Sequence, residues 1–470
     1  MSNNDQAVNQ TSSSLRNTAR LGSRLGFILL SAGCAIGLGN VWKFPYIAGQ
    51  NGGGVFLITY LLMLVLFGIP VVAVEFSLGR AAQKPPIKMY QALEPAGSKW
   101  HLHGIPCMLG CTLLMMFYTV ITGWILEYLV KFVKGDFTGL NAEQVSDVFG
   151  KMTREPVSMS VALAVVVILG FGVCAIGLQN GLEKITKYMM AALLLLMLVL
   201  TVKSFTMSGS KAGLKFFLYP DFDKAREVGY GRILLAALNQ AFFTLSVGIG
   251  AMAVFGSYIN KDRRLLGESV HITALDTFVA LSAGLIMFPA CFSYGIDVNS
   301  GPSLLFITMP NVFAGMSFGR VWGALFFLFM SFAALSTVFA IFENIIANFI
   351  ELTALSRRKS CLICGIGMFI LAMPCVLGFN IWSGFQPFGE GTNILDLEDF
   401  IVSNLLLPIG SIVFILFVTL RKGWGWDNFM AEVNAGEGLA FPKRLRLYMK
   451  YFVPVVLMAI LVIGLVQFFR

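Results

Sequence analysis

Eleven stretches of this 470-residue chain are long and apolar enough to cross a bilayer: 24–50, 54–79, 103–130, 157–176, 185–205, 231–257, 270–294, 321–350, 361–381, 399–420 and 447–468. A span needs about 20 mostly apolar residues. Inside hydrocarbon each backbone amide and carbonyl must find a partner within the chain, which predicts helices for all eleven. Only 13% of the residues are charged, about half the share of a soluble domain. The longest connections are 131–156, 206–230, 80–102 and 421–446, too short for a soluble domain. The last holds RKGWGWDNFMAEV, whose pattern predicts a short amphipathic helix along the membrane surface.

In a soluble protein the net charge of +9 would suggest nucleic acid; here loop charge explains it. With the N-terminus inside, the inner segments hold 21 of the 34 Lys and Arg residues. Positive residues concentrate on the cytoplasmic side, which predicts a cytoplasmic N-terminal tail (1–23) and an extracytoplasmic C-terminus. No cleavable signal peptide is read at the start. The eight cysteines are spread through apolar runs, which favours small buried residues over metal or redox chemistry.

Two of the eleven stretches are interrupted. In the first, SAGCAIGLGNVWKFP (Ser31–Pro45) places Gly33, Gly37, Gly39 and Asn40 at mid-membrane depth. In the sixth, NQAFFTLSVGIGAMAVF (Asn239–Phe255) places Thr244, Ser246, Gly248 and Gly250 there. Each glycine weakens a helix by about 0.8–1 kcal/mol relative to alanine, and its freedom in φ lets the chain leave helical geometry. Glycines spaced like Gly33 and Gly37 also permit close helix packing. The two interruptions lie five spans apart, as two five-helix repeats require. Paired broken segments point to a transporter's binding site. Their freed amides attract an anion and their freed carbonyls a cation.

At these residues the sequence resembles the neurotransmitter:sodium symporter family, sodium-coupled amino acid and amine transporters, in its bacterial eleven-helix branch. The matching stretches are GLGNVWKFPYIAGQNGGGVFLITY, FYTVITGW, NQAFFTLSVGIGAM, FAALSTVFAIFEN and LDLEDF. The resemblance implies an all-α membrane protein of eleven transmembrane helices. It would have a LeuT-type five-plus-five inverted repeat, with helices 1 and 6 broken. The first repeat would cover 24–205 and the second 231–420, with 447–470 as an added helix.

The resemblance also implies two sodium sites as coupling ions, with no cofactor. The first would use the Ala35 carbonyl, Asn40, Thr244 and a span-seven residue, read as Asp276. The second would use the carbonyls of Gly33, Ile36 and Ala333 and the hydroxyls of Ser336 and Thr337. Oxygen-only ligands suit a hard cation; hydroxyls that bond back within their own helix are the ordinary alternative. The substrate pocket would comprise Cys34, Ala35, Leu38, Gly39, Leu114, Tyr118, Phe243, Thr244, Ser246, Ile249, Thr337 and Ile341. The Gly39 backbone and the Tyr118 hydroxyl would hold a carboxylate, and carbonyls around Phe243–Ser246 an ammonium group. Lys43 and Asp399 would form an outer gate above Phe243 and Tyr118. Glu351 would be the acid of an inner gate, with Arg20 as the candidate base.

Three departures from the family refine this reading. Gly37 stands where amine-transporting members carry Asp, which favours a substrate with its own carboxylate. Asp276 stands where many members place Asn. A carboxylate within a span is a functional candidate by default, here as a sodium ligand or as the negative charge that chloride supplies elsewhere, near Tyr60 and Gln240. Ala280 lacks the hydroxyl used by chloride-dependent members, so chloride independence is expected. Third, Gly181 is present in span five, but Ala191 replaces the proline found ten residues later in many members.

The side-chain subsite carries no charge, and a charged side chain there would lose hydration without a partner. A neutral hydrophobic or aromatic amino acid is expected, with tyrosine, tryptophan, phenylalanine, leucine and methionine all open. The leading expectation is a sodium-coupled importer working by alternating access; a transport-dead sodium-dependent sensor of the same fold is the alternative. The three histidines lie near membrane edges, and no catalytic constellation suggests an enzyme. Expected partners are the amino acid, Na+ and the bilayer, with no obligate protein partner. Residues 131–156 contain no Cys and no glycosylation sequon, which favours a prokaryotic inner membrane.

Overall fold

The structure, a computed structural model, describes residues 24–295 and 304–468. The tail with Arg20 lies outside the described residues. In chain order the membrane-length helices and the two interrupted pairs are α1 (Arg24–Ala35), α2 (Gly39–Gln50), α3 (Gly54–Ala82), α4 (Trp100–Lys134), α5 (Pro156–Ile176), α6 (Leu178–Phe205), α7 (Tyr230–Thr244), α8 (Ala251–Gly256), α9 (Leu265–Ser293), α10 (Gly319–Thr353), α11 (Arg357–Gly378), α12 (Ile394–Thr419) and α13 (Lys443–Val466). Among the described residues nine helices are each long and apolar enough to span a membrane. The pair α1–α2, bent by 51°, makes a tenth candidate. The predicted sixth span is present as α7 and α8. Neither reaches spanning length alone, at 15 and 6 residues.

Both interruptions are real breaks in the helical ladder, and they differ in cause. Between α7 and α8 the backbone turns left-handed at Ser246 (φ 50°), Gly248 (φ 95°) and Gly250 (φ 72°). Gly248 is also sterically forced, since a Cβ there would lie 2.1 Å from the Leu407 carbonyl oxygen. Between α1 and α2 the glycines do not adopt positive φ. Gly37 is needed for space instead: a Cβ would lie 2.3 Å from both the Thr337 and Tyr118 hydroxyls. The expectation that conformational freedom explains the first break is therefore corrected. Close approach of side chains explains it.

α10 is the most enclosed span, with 78% of its apolar window buried, and α6 and α13 are the least, at 28% each. α10 packs against both α4 and α1, so its polar residues reach the first break. α6 continues without interruption through Ala191, after a wide turn over Leu178–Glu183 that contains Gly181.

The helix expected in RKGWGWDNFMAEV forms at Trp426–Val433, but it does not lie free on the surface. Trp426, Phe429, Met430, Glu432 and Val433 are buried. Arg80, fully buried on α3, donates through Nε to Glu432 Oε1 at 2.6 Å and through Nη1 to the Arg263 carbonyl at 2.7 Å. Lys261 adds a second ion pair to Glu432 at 3.1 Å. The loop is thus clamped under the bundle, because a buried carboxylate must be paired.

Candidate functional site

The two breaks face each other. Backbone groups that leave the ladders find side chains in place of water, as a membrane interior requires. The Gly37 amide donates to Asn40 Oδ1 at 3.0 Å, and the Leu38 amide to the Tyr118 hydroxyl at 2.9 Å. The Gly39 carbonyl accepts from Gln240 Nε2 at 2.7 Å. Across the gap, the Gly248 amide donates to Glu75 Oε1 at 2.5 Å, and the Ser246 hydroxyl to the Cys34 carbonyl at 3.3 Å. Asn344 Nδ2 donates to the Gly250 carbonyl at 3.3 Å.

Two oxygen-rich clusters flank the first break. In one, Asn40 Nδ2 donates to Asp276 Oδ1 at 2.7 Å and to the Asp276 carbonyl at 3.0 Å. The Thr244 hydroxyl meets both Asp276 oxygens at 3.1 and 3.2 Å. In the other, the Thr337 hydroxyl donates to the carbonyls of Gly33 (3.1 Å) and Ile36 (3.2 Å). The Ser336 hydroxyl meets those of Ile36 (3.2 Å) and Ala333 (2.9 Å). These donor sets are hydroxyl, amide, carboxylate and carbonyl oxygens, the chemistry of a small hard cation. All five residues assigned to the second sodium site therefore meet in one place. Asn40, Thr244 and Asp276 of the first also meet.

A cavity of about 10 Å³ lies between the breaks, lined by Cys34, Ala35, Gly37, Gly39, Leu114, Tyr118, Phe243, Ser246, Thr337 and Leu407. Eight of these belong to the expected pocket. Leu38, Thr244, Ile249 and Ile341 are buried beside it but do not line it. Gly37 and Leu407 do line it. Nothing in the run LLLPIG marks Leu407 as different from a lipid-facing leucine. Gly37 was read from the sequence as part of the interruption and as the position of a missing carboxylate, not as a pocket wall.

On the α2 side stands Lys43, whose Nζ meets Asp399 Oδ1 and Oδ2 at 2.8 and 3.0 Å and the Ser403 hydroxyl at 3.1 Å. The same ammonium sits 3.9 Å from the centre of the Phe243 ring, a geometry that favours attraction between cation and π face. On the side where α1 begins, Arg24 pairs with Glu268 at 2.9 Å. Deeper in, the buried Glu343 accepts from Tyr258 (3.1 Å) and from both terminal nitrogens of Arg357 (3.0 Å to Oε1). Arg357 Nε also donates to the Cys174 carbonyl at 2.7 Å. These contacts join the chain after α8 to α10, α11 and the end of α5. Glu351, the expected inner-gate acid, is approached by Lys84 Nζ at 3.7 Å.

Sequence reasoning missed Glu75, Glu343 and Arg357. The signal was available for the two acids, since a carboxylate inside an apolar run is costly and needs a reason.

The model of the sodium:neurotransmitter symporter family matches residues 18–144 and 136–470. An uncharacterized sodium-dependent transporter of Bacillus subtilis, YhdH, is 36% identical over 450 residues, 95% of this chain and 98% of that protein. One from Haemophilus influenzae is 29% identical over 94% of this chain and 97% of its own length. Among solved structures, MhsT in complex with L-phenylalanine superimposes with a TM-score of 0.86 at 35% identity, covering 94% of this chain and 99% of that one.

Proposed function

Since the chain belongs to the sodium:neurotransmitter symporter family, whose members are transporters and not enzymes, we propose that it imports a neutral hydrophobic or aromatic amino acid. Two sodium ions would drive uptake, without chloride. The observation that carries this reading is the pair of facing breaks, with an uncharged cavity between them and an oxygen cluster on either side.

Each part of a zwitterion has a counterpart there. The substrate carboxylate would take the Gly39 region and the Tyr118 hydroxyl, with the sodium ion at Ala35, Asn40, Thr244 and Asp276 against it. Carbonyls near Phe243–Ser246 would take the ammonium group. Ion and substrate then complete each other's shell, so neither binds well alone, which is the physical basis of coupling. The side chain would lie among Leu114, Phe243 and Leu407, with Ile249 and Ile341 buried behind them. The likeness to MhsT, solved with L-phenylalanine, supports an aromatic or large aliphatic substrate.

Asp276 would supply the negative charge that makes chloride unnecessary. Ion pairs at Lys43–Asp399 on one side and at Arg24–Glu268 and Tyr258–Glu343–Arg357 on the other would serve as the two gates of alternating access. We assign α1–α6 and α7–α12 to the two repeats and α7–α8 to an eleventh membrane crossing. The N-terminus would face the cytoplasm of a prokaryote.

The test is uptake of a panel of labelled amino acids by proteoliposomes, with and without an inward sodium gradient. Sodium-driven uptake of one or more of tyrosine, tryptophan, phenylalanine, leucine and methionine is expected. Sodium-dependent binding of these without any uptake would overturn import in favour of a sensor.

A further inference from the structure

A second concavity lies on the outer wall, between α12 and α13. Ile412 and Leu416 of α12 and Pro454, Val455, Met458, Ala459, Val462 and Ile463 of α13 line a groove of about 550 Å³. Val455 is 65% exposed and Val462 51%, so the groove opens to the surroundings of the bundle. For a membrane span those surroundings are acyl chains.

What distinguishes it from an ordinary lipid-facing seam is its mouth. α12 and α13 run antiparallel, so Leu416 stands near Pro454, close to where α12 ends and α13 begins. That end is basic. Arg421 and Lys422 follow α12 directly, and Lys443, Arg444, Arg446 and Lys450 lead into the groove. Arg446 and Lys450 stand about two turns and one turn before Pro454. Among the described residues neither of these, nor Arg421, Lys422 or Arg444, has an acidic partner within ion-pair distance. Lys450 Nζ lies 4.8 Å from the ring centre of Tyr451, and Tyr451 is 56% exposed, as expected of a ring at the headgroup layer.

The opposite face of the same turn is fixed. The Tyr448 hydroxyl donates to the Leu66 carbonyl at 2.6 Å, and Phe452 stacks on Phe67 at 6.3 Å. The basic mouth is therefore held in place beside the groove.

We propose that this groove holds an anionic phospholipid, its acyl chain along Met458 and Val462 and its phosphate between Arg446 and Lys450. Unpaired basic residues at a membrane surface attract anionic headgroups, and an apolar trough in register with them supplies the chain's seat. The occupant would brace α13 against α12, the helix that carries Asp399 and Leu407.

The test is thermal unfolding and native mass spectrometry of the full chain, delipidated and then titrated with phosphatidylglycerol or with phosphatidylcholine of the same acyl chains. Binding to the folded state raises its unfolding temperature. A rise and a retained lipid with phosphatidylglycerol, much weaker with phosphatidylcholine, are expected. Arg446→Gln with Lys450→Gln should weaken phosphatidylglycerol binding roughly 30-fold, the effect of removing two basic residues from a headgroup. Met458→Trp, which narrows the groove and leaves the charges, should weaken binding of both lipids. Equal binding of the two lipids by the unaltered chain, or phosphatidylglycerol binding that survives either variant, would overturn the proposal. So would cross-linking between cysteines placed at Val462 in two copies, because the groove would then be a dimer contact.

Discussion

Asn40 and Asp276 join the first break to α9 through a 2.7 Å hydrogen bond from Nδ2 to the carboxylate, while Asn40 Oδ1 accepts from the Gly37 amide. One side chain thus fixes both the freed backbone and the only carboxylate of that oxygen cluster. If Asp276 supplies the negative charge of the first sodium site, uptake by the unaltered protein stays constant when gluconate replaces chloride. Asp276→Asn keeps the hydrogen-bond geometry and removes the charge. Its uptake should fall at least tenfold in gluconate and recover in part with chloride. Uptake of the Asn variant that ignores chloride and matches the parent would refute this role.

The second oxygen cluster makes an independent prediction. Thr337 and Ser336 converge on the carbonyls of Gly33, Ile36 and Ala333. Ser336→Ala removes one hydroxyl from a shell of about five oxygens. The sodium concentration giving half-maximal uptake should rise by about tenfold, with a smaller change in substrate affinity at saturating sodium. Equal losses at all sodium concentrations would point to a packing defect instead.

Gly37 tests the geometry of the first break. A Cβ would lie 2.3 Å from the hydroxyls of Thr337 and Tyr118. Gly37→Ala should therefore abolish substrate binding, measured by scintillation proximity, while the protein still elutes as a monodisperse peak. Retention of binding within a few-fold of the parent would show that the break can relax around a methyl group.

These cases show how far the sequence could be read. Polar residues inside apolar runs stood out, so Asn40, Thr244, Asp276, Ser336 and Thr337 were legible, and the family likeness gave each a place. The reason for Gly37 was not, because a glycine needed for space looks the same in one dimension as one needed for its φ. Glu75 and Glu343 were visible as charges in the wrong solvent. Their partners, the Gly248 amide and Arg357, depend on how helices distant in sequence are packed. The clamp from Arg80 to Glu432 was hidden for a related reason. An amphipathic pattern reports that one face is apolar, but not whether lipid or protein covers it.

The Glu343–Arg357 pair bears on stability. Glu343 is almost fully buried and Arg357 partly so. Removing one partner of a buried pair leaves an uncompensated charge and costs about 3–5 kcal/mol. Arg357→Met should thus lower the unfolding temperature markedly, whereas Glu343→Gln with Arg357→Met should recover much of the loss. The double variant should also open more readily on the side where α1 begins, seen as faster labelling of a cysteine placed at Ser257. Equal destabilisation by single and double variants would mean that the pair acts through packing and not through charge.

Leu407 offers the sharpest test of substrate selection, since nothing in its sequence context singles it out. It lines the cavity between the breaks, and its carbonyl oxygen packs against Gly248, so its position is tied to the second break. Truncation to alanine removes about three buried carbons' worth of wall, and each methylene in a pocket discriminates by a modest factor, about 10–200-fold in k for the best cases. Leu407→Ala should shift relative uptake toward tryptophan over leucine by about tenfold. Leu407→Phe should shift it the other way by a similar factor. Competition of unlabelled amino acids against one labelled substrate measures both. If the order of preference is the same in parent and both variants, α12 contributes only its gate residues, and the side chain of the substrate must lie wholly among α4, α7 and α10.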